Sequence, residues 1–226
     1  MTDTTLATDI VVFGYSPTET SLRILLIHRN SAPYKGFLAL PGGRVEDDED
    51  AEAAALRELD EETGIRPDFL EQLYTFTNPK RDPRNRVVSV AYYALVSVDQ
   101  FTPVAGTDAA DADWYPIGKA LQSELAFDHK EILSVALGRL RGKIRYAPLG
   151  IELLPKQFTI PELRQVYESV LGTSLDPGNF RRRILKTGLL IQTGGKRTTG
   201  YKPAALYEFD EAAYEELAKQ GWYFEV

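Results

Sequence analysis

The stretch GGRVEDDEDAEAAALRELDEETGI, residues 42–65, decides the fold of the first half of this chain. Acidic residues crowd the stretch, which lies between a glycine pair and a single glycine. From about Asp48 to Thr63 its alanines and leucines favour a helix, and Gly64 stands where a C-terminal cap belongs. The stretch therefore predicts a glycine turn that leads into one acidic helix.

The helical period divides this helix into two faces. One face carries the residues Glu52, Ala55, Leu56 and Leu59. The opposite face carries the carboxylates Glu58, Glu61 and Glu62. Like charges three and four residues apart destabilise a helix, whereas carboxylate oxygens are ligands that Mg²⁺ prefers. The acidic face is therefore either a metal site or a solvated helix surface.

The spacing of the whole stretch resembles the Nudix box, G-x5-E-x7-R-E-U-x-E-E-x-G-U, in which U is aliphatic. Its specified positions are filled here by Gly43, Glu49, Arg57, Glu58, Leu59, Glu61, Glu62, Gly64 and Ile65. Nudix hydrolases cleave a nucleoside diphosphate linked to another group, and the resemblance implies an α/β/α sandwich with a mixed sheet.

The resemblance also implies roles for individual residues of the box. Glu58, Glu61 and Glu62 are expected to bind Mg²⁺ or Mn²⁺. Arg57 and Glu49 are expected to complete the catalytic set. The ligand is expected to lie against the Gly42-Gly43 backbone and Arg44. A bound metal ion would neutralise pyrophosphate oxygens and lower the pKa of an attacking water.

The rest of the first half alternates strands and helices, which places the chain in the α/β class. Strands are predicted at residues 8–15 and 22–28, in FLALPGG, EQLYTFTN and VVSVAYYALVS, and a helix is predicted in HKEILSVALGRLRGK. A length of 226 residues is a soft indication of two domains. The segment RYAPLGIELLPKQ carries prolines, a glycine and no sustained period. We therefore predict a Nudix domain at residues 1–148 and a second domain at residues 149–226.

Composition excludes several kinds of site. The chain has no cysteine, so disulfides, thiolate metal sites and cysteine nucleophiles are excluded. His28 and His129 are its two histidines, too few for a histidine-rich metal site, and His28, after the apolar run ILLI, is expected to be structural. Neither a signal peptide nor a membrane-spanning run is recognisable. We therefore expect a cytoplasmic protein that does not bind membranes.

A second segment, NPKRDPRNRVVSVAYYALV, bears on the ligand. Arg81, Arg84 and Arg86 precede or begin a predicted strand, and guanidinium groups suit phosphate oxygens. The segment resembles one shared by Nudix enzymes and sensors that bind ADP-ribose; the alternative is a solvated basic turn. A catalytic base could come from a later loop that offers Asp108, Asp111 and Asp113, and no motif selects among these three.

Charge is distributed unevenly between the two halves. Residues 1–150 carry a net charge of −7, whereas residues 151–226 are neutral. Within the neutral half, residues 176–202 contain seven basic residues and one acidic residue, Asp176. An acidic body with a basic appendage predicts two different functions in one chain.

The basic segment has the pattern of a winged helix-turn-helix. Thr159 can cap one helix that Gly172 ends, and a second helix, PGNFRRRILK, opens at Asp176-Pro177. The exposed face of the second helix is predicted to carry the DNA-binding set Asn179, Arg182, Arg183 and Lys186. Arg181 lies nearer the core side and is added to the set, as are Lys196 and Arg197 at the tip of a following hairpin. The alternative is a dimerisation domain with a solvated basic face.

The two halves together resemble one family, the Nudix-related transcriptional regulators of NAD metabolism known as the NrtR type. The segments LLPKQFTIPELRQVYE and NFRRRIL are similar to the C-terminal part of that family. The resemblance implies a homodimer that binds a palindromic double-stranded DNA operator and releases it on binding ADP-ribose or, in relatives, a sugar.

The intact Nudix box leaves the function open between two classes. One hypothesis is a ligand-responsive repressor that controls genes of NAD or sugar metabolism. The other is a metal-dependent ADP-ribose pyrophosphatase whose C-terminal domain serves assembly. A third and weaker reading is hydrolysis of RNA ends, for which the sequence lacks an interleaved aromatic and basic surface.

Overall fold

The structure is a computed structural model that describes residues 4–98, 109–199 and 202–221. Its first elements are β1 (Thr4–Ser16), β2 (Ser21–Arg29), β3 (Leu38–Ala39), α1 (Ala51–Thr63), β4 (Phe69–Phe76), β5 (Arg86–Ser97), β6 (Ala109–Pro116), α2 (Ile117–Gln122) and α3 (His129–Lys143). A 3₁₀ turn (Leu149–Ile151) follows. The remaining elements are β7 (Phe158–Thr159), α4 (Ile160–Leu171), α5 (Pro177–Lys186), β8 (Leu190–Thr199), β9 (Lys202–Phe209) and α6 (Glu211–Lys219).

A six-stranded sheet forms the centre of the first half. Its strand order is β3-β2-β1-β5-β4, and β6 also pairs with β2. The pairs β2–β3, β2–β6 and β4–β5 are antiparallel. This arrangement confirms the predicted α/β class.

Helix α1 packs against this sheet through its small apolar residues. Ala55 and Leu59 are buried in one core cluster with Ile10, Leu25 and Trp114 of the strands. Leu56, expected on the same face, is instead 39% exposed. The helical face toward the sheet is centred on the alanines, so Leu56 lies beyond its edge.

The ends of α1 follow from its sequence. The side chain of Asp50 accepts hydrogen bonds from the backbone N–H groups of Glu52 and Ala53. Gly64 has a left-handed φ of 71°, and its N–H donates to the Asp60 carbonyl. These two caps satisfy terminal backbone groups that a helix leaves without partners, so the acidic helix begins and ends at defined residues.

The chain forms two compact units. One comprises Met1–Gly14 with Arg23–Leu137, and the other comprises Tyr15–Leu22 with Gly138–Val226. The division falls within α3, ahead of the boundary predicted after residue 148. The domain boundary after residue 148 stays a prediction.

The second unit contains a helix-turn-helix followed by a hairpin. Thr159 and Glu162 form a capping box at the start of α4, and Gly172 ends that helix with a φ of 69°. Asp176 caps α5 through the Asn179 N–H. Strands β7, β9 and β8 form a three-stranded sheet. The winged helix predicted from the sequence is therefore confirmed.

Aromatic and aliphatic side chains from both helices of the helix-turn-helix are buried in the second unit. The rings of Tyr167 on α4 and Phe180 on α5 meet edge to face, with centroids 5.3 Å apart. Leu163, Val166 and Ile184 are buried as well.

In the described ranges, no helix combines the length and the apolar character that crossing a bilayer requires.

Candidate functional site

Arg57 organises the acidic side chains of the Nudix box. Its Nε and Nη2 atoms donate to both oxygens of Glu49, at 3.0 and 2.6 Å. Its Nη1 atom donates to Glu58 at 3.0 Å and to Glu61 at 3.2 Å. The hydrogen bonds to Glu49 are the largest cause of a raised Arg57 pKa. Helix α1 thus carries an arginine that holds three carboxylates in place.

The glycine pair lies close to the backbone of β1 and to the carboxylates of α1. Gly42 has a φ of 146°, and a Cβ added there would overlap the carbonyl oxygen of Thr8. A Cβ added at Gly43 would overlap the carboxylate of Glu58. The Gly42 N–H donates to Glu62 Oε2 at 2.9 Å. Gly42 is therefore required by its φ and by the backbone of β1, whereas a side chain at Gly43 would displace the Glu58 carboxylate.

Two carboxylates of this site are perturbed by burial. Burial raises the pKa of Glu62 to about 8, even though the Gly42 N–H lowers it. Burial also raises the pKa of Glu58, against the opposing effect of Arg57. Each carboxylate therefore lacks part of the positive charge that would stabilise its ionised form.

The donor set suits a divalent cation in kind, since it consists of carboxylate oxygens. Glu58 and Glu61 both accept from the Nη1 atom of Arg57, whereas Glu62 accepts from the Gly42 N–H. Among the described residues, no group of three acidic or histidine side chains has the geometry to hold a metal ion. Assignment of Glu58, Glu61 and Glu62 as metal ligands therefore stays a prediction.

A cavity of about 480 Å³ opens beside the glycine loop. Its lining includes Gly42, Gly43 and Arg44, the residues that were predicted to contact the ligand. Arg81 and Arg84 line it as well. The structure thus brings the loop of the Nudix box and two of the three predicted arginines to one cavity. Arg86 is not in its wall, and the Arg86 guanidinium donates to the Thr77 carbonyl at 2.7 Å.

A buried charge network that the sequence did not reveal forms one wall of the cavity. Asp9 accepts hydrogen bonds from Arg81 at 2.7 Å and from Ser89 at 2.6 Å. Arg81 also donates to both oxygens of Asp128. Burial opposes the charge of Asp9, but His129, Arg81 and Ser89 together hold its pKa well below the ordinary value. Arg81 is therefore already paired with two carboxylates.

His129 joins the same network at the first residue of α3. Its Nδ1 atom accepts the Leu40 N–H at 2.8 Å, and its Nε2 atom lies 3.2 Å from Asp9 Oδ1. A nitrogen that accepts cannot carry a proton, so these contacts assign the ring to the Nε2–H tautomer that donates to Asp9. A charged residue at the start of the buried run DIVVFGY was the one signal that could have pointed to this network.

Two of the three predicted candidates for a catalytic base do not line the cavity. Asp111 and Asp113 are exposed on β6, and neither lines the cavity. Asp108 lies outside the described residues. Arg84, by contrast, does line the cavity and forms a two-pronged ion pair with Asp82.

Helix α5 presents the predicted basic face to solvent. Its exposed residues include Asn179, Arg181, Arg182, Arg183 and Lys186. Arg182 donates to Asn179 Oδ1 at 2.8 Å, which aligns two side chains one turn apart. Arg181 is exposed and not tucked toward the core, because Phe180 and Ile184 fill the buried face.

Strands β8 and β9 form a hairpin, the wing, and its residues Lys196 and Arg197 do not lie where they were predicted. Lys196 pairs with Ala205, and Arg197 pairs with Ala204, so both lie along β8. The register runs on to the pair of Thr199 and Lys202, three and two residues beyond Lys196 and Arg197 along β8. A bulge between Gln192 and Lys196 shifts the register of the two strands.

Lys196 and Arg197 also differ in their surroundings. The Lys196 side chain is exposed. The Arg197 guanidinium is bound to protein groups: it contacts Glu162 at 3.1 and 3.2 Å and the Gln157 carbonyl at 3.1 Å.

Two family models match this chain. The NUDIX domain model matches residues 5–135, and the model of the NrtR DNA-binding winged helix domain matches residues 150–209. These two matches cover the two halves in the order that the sequence predicted.

Similar proteins extend these matches over almost the whole chain. The ADPR responsive transcriptional repressor NtrR of Acinetobacter baylyi is 39% identical, over 93% of this chain and 84% of that protein. Shewanella oneidensis NrtR complexed with a 27mer DNA superposes with a TM-score of 0.82 at 38% identity, covering 90% of this chain and 93% of that one. The NUDIX domain of the same Shewanella protein, complexed with ADP ribose, superposes with a TM-score of 0.57 at 35% identity, covering 62% and 90%. This chain belongs to the NrtR family, in which a Nudix domain is joined to a winged helix DNA-binding domain.

Proposed function

We propose that this chain is an ADP-ribose-responsive transcriptional repressor. Its Nudix domain would bind ADP-ribose in the cavity beside Gly42 and Gly43, and its winged helix would bind operator DNA. The observation that carries the proposal is the match to DNA-bound Shewanella NrtR, because one alignment spans 90% of this chain and both kinds of domain.

The DNA-binding part of the proposal is supported by the exposed face of α5. Three consecutive arginines there offer guanidinium forks that can read guanine edges or contact phosphates. A single helix of this size reads only a few base pairs. We therefore propose that the protein is a homodimer on a palindromic operator, with two recognition helices about one turn of DNA apart. Such a regulator would act in the cytoplasm.

The ligand-binding part is supported by the positive lining of the cavity. Arg29, Arg44, Arg81 and Arg84 line it, against the two acidic residues Asp9 and Asp82. An excess of guanidinium groups suits the pyrophosphate of ADP-ribose. Ligand binding and DNA binding would then be coupled, with a coupling free energy of ~1–3 kcal/mol that acts equally in both directions.

Titration of ADP-ribose into a fluorescent operator complex tests the proposal. We expect the affinity for DNA to fall as ADP-ribose saturates the protein, and operator DNA to weaken ADP-ribose binding by the same factor. The Glu62→Gln variant should be titrated in parallel, so that hydrolysis cannot remove the ligand. An unchanged affinity for the operator at saturating ADP-ribose would contradict the proposal.

A second candidate function is ADP-ribose pyrophosphatase activity, favoured by one observation. Every specified position of the Nudix box is present, and Arg57 contacts Glu49, Glu58 and Glu61. If the carboxylates turned from Arg57, Glu58, Glu61 and Glu62 would hold Mg²⁺ or Mn²⁺, and such an ion would supply electrostatic activation of the pyrophosphate.

Product analysis separates this candidate from the repressor. The wild-type protein with Mg²⁺ or Mn²⁺ should convert ADP-ribose to AMP and ribose 5-phosphate, and Glu62→Gln should abolish this conversion. Mass spectrometry after a long incubation detects both products. If ADP-ribose stayed intact while calorimetry showed that it binds, the protein would be a sensor that does not hydrolyse its ligand.

A further inference from the structure

The arginines in the cavity wall differ in their partners. Arg81 is paired with Asp9 and Asp128, and Arg84 is paired with Asp82. Arg29 forms no such pair: among the described residues, no carboxylate lies within ion-pair distance of its guanidinium. Its Nε atom donates to the Pro33 carbonyl at 3.1 Å, which leaves both terminal nitrogens for another acceptor.

Arg29 and Arg84 come together at one aromatic ring. The guanidinium carbon of Arg29 lies 4.7 Å from the centroid of Phe127, and that of Arg84 lies 5.6 Å from it. Phe127 has a left-handed φ of 53°, and its ring also contacts Tyr34 at 4.9 Å and His129 at 5.3 Å between centroids. The ring is therefore a fixed platform that holds two positive charges at the cavity wall.

The two guanidinium groups carry like charges over one ring, so they repel each other. Burial and the charge of Arg84 lower the pKa of Arg29, against the opposing charges of Glu62, Asp82 and Asp9. The carboxylate of Asp82 is already occupied by Arg84 in a two-pronged pair. A phosphate group would relieve this repulsion, because its oxygens can accept hydrogen bonds from both guanidinium groups at once.

We propose that Arg29 and Arg84, stacked on Phe127, form the subsite that takes a phosphate group of the ligand in this cavity. The inference deepens the proposed function and rests on it for the identity of the ligand. Arg29, which was not among the arginines expected from the sequence, becomes the principal binding residue. Arg81 becomes a residue of the supporting network and leaves direct phosphate contact to Arg29 and Arg84.

Calorimetric titration of the full-length protein with ADP-ribose tests the subsite. The titrations are made in EDTA so that only the side chains bind phosphate. We expect Arg29→Gln to weaken ADP-ribose binding about 10- to 100-fold, the loss expected for a hydrogen bond to a charged group. Lys119→Gln is the matched control, because it removes one positive charge from the exposed surface of α2, outside the cavity wall. Thermal melting of each variant checks that it folds.

A second variant and a second probe make each outcome decisive. Arg84→Gln should also weaken binding, and it replaces Arg29→Gln in the test if that variant does not fold, since half of the Arg84 side chain is exposed. Inorganic pyrophosphate is titrated into the same proteins. Wild-type affinity for ADP-ribose in both folded variants would overturn the subsite and leave the proposed function standing.

The remaining outcomes separate the two proposals. If the wild-type protein bound pyrophosphate through Arg29 but did not bind ADP-ribose, the subsite would stand and the proposed ligand would be wrong. If the wild-type protein bound neither compound, both the subsite and the proposed ligand would be overturned.

Discussion

The guanidinium of Arg197, on the first strand of the wing, lies 3.1 Å from Glu162 Oε1 at the start of α4. The same glutamate accepts the Thr159 N–H at 2.7 Å and so completes the capping box. Arg197 also donates to the Gln157 carbonyl. Arg197 therefore joins the wing to the first helix of the helix-turn-helix. It is one of the residues that the sequence predicted to bind DNA.

Arg197→Ala should lower stability without removing a phosphate contact. We expect the free energy of unfolding to fall by about 0.5–1 kcal/mol, the modest value of a partly exposed ion pair. The slope of log operator affinity against log salt should stay at the wild-type value. Urea unfolding and binding at several salt concentrations measure these two quantities. A slope reduced by about one unit would mean that Arg197 contacts DNA after all.

Lys196→Ala is the matched comparison on the same strand. The exposed Lys196 side chain can reach a phosphate, so its loss should weaken binding to all DNA sequences alike and reduce the salt slope by about one unit. Its unfolding free energy should not change. If the Arg197 and Lys196 variants changed the unfolding free energy and the salt slope equally, the two residues would not differ in their roles.

Arg182→Ala or Arg183→Ala should weaken operator binding by ~1–3 kcal/mol and relax the preference at one base pair. The physical reason is that both side chains are exposed on the face of α5 opposite Phe180 and Ile184. Binding to a panel of single-base operator variants measures the change. Each protein should bind ADP-ribose like the wild type, which shows that the Nudix domain is intact. A triple-arginine variant that bound the operator normally would refute the assignment of α5.

Asp9→Asn should destabilise the Nudix domain by about 3 kcal/mol or more, because it leaves Arg81 partly uncompensated in a buried site. The pKa of Asp9 is lowered, so the stabilisation from its charge is present above the ordinary value near 3.8 and is lost as the pH falls. The wild type should therefore lose about 1 kcal/mol of its advantage in the free energy of unfolding over the variant as the pH falls from 5 to 3. Urea unfolding at both pH values measures it, and a constant difference would exclude this role of the charge.

Glu62→Gln should stabilise the metal-free protein at high pH. The pKa of Glu62 is raised from 4.5 to about 8, so ionisation of this carboxylate costs stability as the pH rises through that interval. At pH 8.5 in EDTA, the free energy of unfolding of the variant should exceed that of the wild type by on the order of 1–3 kcal/mol. Added Mg²⁺ should then stabilise the wild type more than the variant. Equal stabilisation of both by Mg²⁺ would mean that Glu62 is not a metal ligand.

Local patterns in the sequence were sufficient for the family and for most of the secondary structure, although β6, α2 and α6 were not predicted. Helix α3 and helix α5 have the bounds that their sequences predicted, and Thr159, Gly172 and Asp176 cap the helices as expected. These features depend on neighbouring residues, through helical periodicity and the satisfaction of terminal backbone groups. The spacing of the Nudix box is equally local, since it covers one turn and one helix.

The tertiary structure decided which charged side chains are free to act. Asp9 and Arg81 are separated by 72 residues, and Arg197 and Glu162 by 35, yet each pair is joined by hydrogen bonds. Sequence alone ranked Arg81 with Arg84 and placed Arg197 at the tip of the wing, because all of them lie in basic segments. A buried arginine held by two carboxylates, as Arg81 is by Asp9 and Asp128, has little left to offer a ligand, and both of these partners come from distant segments. The sequence therefore determined the fold and the family. Contacts between distant segments decided that Arg29 lines the cavity with no ion pair among the described residues, and that Arg197 is bound to Glu162.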